Sequence, residues 1–113
     1  PKSDAAHAGK AFPRAPNIGG VYPIEGALKL PAEQAYRLVF DVTDALPAEG
    51  IHSGLEHAAR ALNLYAHGGV PAQRVTVAVV VHGEATPMVL RDEDYRREFG
   101  VPNPNHEALQ TLD

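Results

Sequence analysis

The hydrophobic positions of this chain fall into three patterns, and each predicts an element. In the stretch Ala35-Tyr36-Arg37-Leu38-Val39-Phe40-Asp41-Val42-Thr43, Leu38, Phe40 and Val42 share one side of an extended backbone, while Val39 makes the other side partly apolar. That predicts a first strand. Leu55, Ala58, Ala59, Leu62 and Ala66 recur at helical spacing and predict an amphipathic helix over residues 53–67. The run from Arg74 to Val81 is short, rich in β-branched residues and without alternation, as expected of a parallel strand covered on both faces. Strand, helix and strand make a βαβ unit with parallel strands and a right-handed crossover.

The residues between these runs set the boundaries. Ser53-Gly54-Leu55-Glu56 has the capping-box pattern, and Gly68-Gly69 supplies a left-handed stop. Glu56 and Arg60 stand four apart, the spacing of a surface ion pair. After His82-Gly83, Thr86-Pro87 predicts an N-cap with proline at the first helical position, opening one short turn to Leu90. Asp92 is placed to cap a second short helix, Glu93 to Phe99, closed by Gly100. Asn103-Pro104 repeats the cap-plus-proline signal and opens a last helix through Leu109 and Leu112. Residues 1–33 are punctuated by Pro13, Pro16, Pro23 and Pro31 and by Gly9, Gly19, Gly20 and Gly26. They predict an extended arm that packs along the domain or a neighbouring subunit, or stays partly disordered, ahead of an α/β domain at 34–113.

Composition narrows the function classes. Hydrophobic residues at 44% and charged residues at 21% are those of an ordinary globular chain, and 113 residues allow one domain. A formal charge of -4, without a basic stripe, argues against nucleic acid as a partner. No apolar run approaches the roughly 20 residues that span a bilayer. The chain has no cysteine, so thiolate metal sites, disulfides and cysteine nucleophiles are excluded within it. The initial Pro1 points to a processed or trimmed start, for which a removed signal peptide is one explanation.

In open α/β sheets ligands gather beyond the carboxyl ends of the strands, which makes His82 and Gly83 the leading candidates. An imidazole there suits proton transfer or anion binding, or else simply ties down the following loop. Gly83 admits a ligand to the backbone or serves as a turn. Asp41 ends the first strand at the same edge and could orient His82. As a phosphoacceptor it would need an acidic cluster that the sequence lacks. Thr86 offers helix-start N–H groups to an anion, or acts only as a cap. Asn63 borders the buried stripe and bridges to a loop or contacts a ligand, and Asn103 is a cap first and a pocket residue second. The remaining histidines make no metal site: His52 and His57 are five apart on different helix faces, His67 lies at a helix end, and His7 and His106 are isolated.

Several segments resemble the DsrE/DsrF-like family: Leu38-Val39-Phe40-Asp41-Val42-Thr43, Gly54 to Tyr65, Val79-Val80-Val81-His82-Gly83 with Ala85-Thr86-Pro87, and Asn103-Pro104-Asn105. The match covers residues 36–113 in order. It implies a three-layer α/β/α domain with a parallel sheet of flavodoxin-like topology, assembled as trimers or hexamers. It also implies a sulfur-relay setting in which some members carry persulfide on a cysteine. In relatives that cysteine ends a strand following the third helix, so the expectation is of a domain truncated at its C-terminus. Residue matching transfers pocket-lining roles to His82, Gly83, Asn63, Thr86 and Asn103. The arm around Val21-Tyr22-Pro23 resembles the leader of exported members, which implies a periplasmic protein, with the cytoplasm as the alternative.

The expected function is an oligomeric DsrE-like protein of sulfur metabolism, non-catalytic or only latently catalytic, that binds a small anion or sulfur species, and no cofactor is implied. The alternatives are a sulfurtransferase or persulfide carrier whose cysteine lies outside these residues, and a structural assembly subunit.

Overall fold

A computed structural model describes residues 9–26 and 29–113. Strand β1 (Tyr36–Val42) leads through a loop to helix α1 (Ser53–His67), and a 3₁₀ turn at Ala72–Arg74 feeds strand β2 (Val75–Val81). A 3₁₀ helix (Gly83–Val89), helix α2 (Asp92–Phe99) and helix α3 (His106–Leu112) follow. The strands pair in parallel, from Tyr36 opposite Val75 to Val42 opposite Val81, so the fold is mixed α/β around a two-stranded parallel sheet. The boundaries predicted for both strands and for α1 and α2 hold to within a residue at each end.

Period-two alternation gives the sheet two unlike faces. The inner face carries Leu38, Phe40 and Val42 beside Val77, Val79 and Val81. It packs into a core of Ala15, Ile18, Leu55, Ala59, Ala85, Met88 and Ala108, with Leu109 and Leu112 at its margin. The outer face carries Arg37, Val39 and Asp41 beside Thr76, Ala78 and Val80, and all six are exposed. The unbroken apolar run of β2 predicts cover on both faces, and the described residues cover one. Val39 is 71% exposed and Val80 49%.

The arm departs furthest from expectation. Its residues 1–8 and 27–28, and with them His7, lie outside the described residues. Residues 11–21 are a closed loop rather than an extended strap, pinned at its neck by reciprocal backbone bonds between Ala11 and Val21 of 2.7 and 3.0 Å. Ala15, Ile18, Gly19, Gly20 and Val21 are buried. Gly19, at φ +64°, lies so close to α1 that a Cβ there would fall 2.3 Å from Arg60 N and 2.7 Å from the Glu56 carbonyl. The Pro/Gly punctuation does exclude regular elements, but it also lets the chain fold back.

All four expected N-caps are replaced, that of α3 by Asn105. The N-cap of α1 is His52, whose Nδ1 accepts from Gly54 N–H at 2.9 Å, so Ser53 lies inside the helix and forms no capping box. Glu56 turns instead to Arg60, at 3.1 Å. Thr86 sits inside the 3₁₀ helix and donates its hydroxyl to the Gly83 carbonyl. Arg91 precedes α2, so Asp92 is its first residue rather than its cap. At the other end of α1, Gly68 keeps a helical conformation and only Gly69, at φ +94°, is left-handed.

Candidate functional site

His82 and Asp41 meet because the sheet register brings them together. Asp41 stands opposite Val80 on the outer face, and His82 follows two residues later on the same face of β2. His82 N–H donates to the Val42 carbonyl at 3.1 Å, which carries the ladder one residue past β2 and holds the ring at the strand end. Its Nε2 hydrogen-bonds Asp41 Oδ1. Nε2 is therefore the protonated nitrogen of the neutral ring, and Nδ1 is left as an acceptor with no partner among the described residues. Both side chains are more than half exposed. Solvent screening makes such a pair an orienting contact rather than a source of stability.

Gly83 then reverses the chain. At φ +62° it takes a conformation that side chains avoid, and the 3₁₀ helix swings under the inner face, burying Ala85 and Met88. A Cβ on Gly83 would touch nothing nearer than 3.8 Å, so the turn, not a close approach, requires glycine there. Thr86 stays exposed in this loop. Beside Asp41, a crevice of about 160 Å³ opens between the end of β1 and the start of α1 and is lined by Thr43, Asp44, His52, Gly54 and His57 among others.

Asn63 and Asn103 lie elsewhere, and both are consumed by the fold. Asn63, fully buried, accepts at Oδ1 from Arg14 and Ala15 N–H and donates from Nδ2 to the carbonyls of Ala15, Ile18 and Gly19. It is the bridge to a loop that its place beside the stripe suggests. Asn103 donates to the Met88 and Leu90 carbonyls, and its own N–H donates to Asp92 Oδ1. Its Oδ1 accepts from Asn105 N–H and Nδ2, so it closes an Asx turn ahead of α3 and does not cap that helix, whose cap position is Asn105. The structure thus unites His82, Asp41, Gly83 and Thr86 at one sheet edge and separates Asn63 and Asn103 from them.

A second polar cluster has no counterpart in the sequence reading. His52 N–H donates to Asn105 Oδ1 at 2.7 Å, and its Nε2 donates to the Asp44 carbonyl at 2.8 Å while Nδ1 caps α1. Asn103, Asn105 and His52 form a buried chain tying the 3₁₀ helix and the start of α3 to the start of α1. The Asn-Pro-Asn spelling was its one signal, and that spelling also fits an ordinary cap. Among the described residues no group of three His, Asp or Glu side chains is arranged to hold a metal ion, and no helix is long and apolar enough to cross a membrane. Comparison with protein-family models, with curated proteins and with solved structures gives no match.

Proposed function

We propose that this chain is a DsrE-like oligomeric protein of sulfur metabolism that binds a small anion or sulfur species at the His82 end of its sheet. The observation that carries this reading is the Asp41–His82 pair at the carboxyl ends of two parallel strands, where α/β folds place their ligands. Three further features support it. The segments that resemble the family fall on β1, α1, β2 and the loop before α3, in the order the resemblance requires. The outer face, with Val39 and Val80 bare, suits a three-layer α/β/α arrangement in which further chain or a neighbouring subunit supplies the second helical layer. Parallel sheets are ordinarily covered on both faces. Periplasmic placement rests on the resemblance of the arm to an exported leader.

His82→Ala is the direct test. The variant is expected to keep its fold and to lose calorimetric binding of hydrosulfide, and unchanged binding rejects the site. Intact mass with and without alkylation of the product of the full reading frame separates this reading from the sulfurtransferase alternative. A reactive thiol outside these 113 residues would shift the proposal to persulfide transfer with His82 as its neighbour.

A further inference from the structure

Resting on the reading of His82 as a pocket residue, we infer that Asp41 is a positioning residue that makes this a site for a neutral hydrogen-bond donor, a thiol in the sulfur case, rather than for an oxyanion. The geometry gives the reason. A carboxylate bound at Nε2 selects the ring tautomer with its proton on that nitrogen, so the atom offered to a ligand is the bare Nδ1 lone pair. An oxyanion needs donors, and a neutral imidazole in this tautomer has already given its only N–H to Asp41.

The surroundings add to the discrimination. Asp41 and Asp44 both line the crevice beside β1, and both are exposed. Glu84 follows in the next turn, exposed. Thr86, the first hydroxyl after His82, is turned back onto the Gly83 carbonyl, and the hydroxyl-bearing Thr43 and Ser53 that line the crevice carry no charge to offset the carboxylates. The histidines that line the crevice do not reverse the sign: His52 is buried and both its ring nitrogens are engaged, in the helix cap and with the Asp44 carbonyl, which leaves only the exposed His57. A dianion would therefore approach carboxylates with few donors to receive it, whereas an S–H or O–H group donates to Nδ1 at no electrostatic cost. If the bound group is a thiol, its S–H donates to Nδ1, no bond breaks, and the sulfur stays neutral beside Asp41.

The test is nitrogen NMR of His82 in the whole chain, at a pH where its ring is neutral. Wild type is expected to show the Nε2-protonated tautomer in excess. Asp41→Ala should lower the tautomer ratio about three- to fivefold, the size of effect an exposed charge-assisted contact produces. A role confined to the fold would leave this ratio unmoved, and an unchanged ratio in Asp41→Ala overturns the positioning role. With 2-mercaptoethanol and thiosulfate as probes, the His82 resonances should shift saturably with the thiol at concentrations at least tenfold lower. Tighter binding of thiosulfate overturns the ligand class. A locked tautomer with no saturable shift from either probe supports the positioning role and removes the pocket itself, so the two readings fail separately.

Discussion

Replacing Asn63 by Ala probes how one side chain holds the arm to the domain. Its Oδ1 lies 2.8 Å from Arg14 N and 2.7 Å from Ala15 N, and its Nδ2 lies 3.0 to 3.2 Å from three carbonyls. Alanine leaves two backbone N–H groups facing a buried gap. Each unsatisfied donor costs about 1–3 kcal/mol, so a loop that stayed docked would lose about 2–6 kcal/mol. The loop can escape that cost by lifting away from α1, which exposes Ile18 and Val21 at about 1.5–3 kcal/mol per side chain. Lifting also returns backbone entropy to the loop, at about 1–2 kcal/mol per residue freed. Release is therefore the cheaper outcome, and the variant should keep its sheet while the loop opens. Hydrogen exchange at the Arg14 and Ala15 amides should accelerate by at least a hundredfold, and trypsin should cut after Arg14 under native conditions. Slow exchange at both amides and resistance to trypsin would show that apolar packing holds the loop and that the carboxamide is dispensable.

Gly19→Ala attacks the same contact from the other side. The left-handed backbone costs about 1–2 kcal/mol and the approach to Arg60 N adds to it, so the exchange pattern should match that of Asn63→Ala. Because both act by releasing one loop, the double variant should cost no more in urea unfolding than the worse single one. His52→Ala removes the cap of α1 and should lower stability by about 1–2 kcal/mol in thermal unfolding, and an unchanged midpoint would mean that Asn105 holds the helix start unaided. Glu56→Gln breaks a partly exposed i,i+4 pair and should change stability by less than about 0.5 kcal/mol.

The sheet and α1 were legible because periodicity is a local property that the tertiary structure had no reason to override. Caps were not. Whether Ser53 or His52 starts α1 depends on which residue is extended, and the His52 backbone is held by Asn105, distant in sequence. Histidine is not among the side chains favoured at N-caps, so no local rule singles it out. The closed shape of the arm was not legible for a related reason. Gly and Pro report what a segment cannot form, while the closed loop is stabilised by an asparagine on a helix that follows it by more than forty residues. At the sheet edge the sequence located His82 and Asp41 correctly relative to the strands, and their meeting follows from the parallel register alone.

The bare outer face has a bearing on the strength of the His82–Asp41 contact. Val39 and Val80 lie next to the pair on the same surface, so whatever comes to rest on those valines also walls in the imidazole and the carboxylate. In water their attraction is heavily screened, but against a covered, low-dielectric surface the same geometry becomes several times stronger. The chemistry at the strand ends is thus set by a residue pair that the chain supplies and by a local dielectric that depends on what covers the sheet. A subunit or layer added over the valines would strengthen the His82–Asp41 contact without touching either side chain.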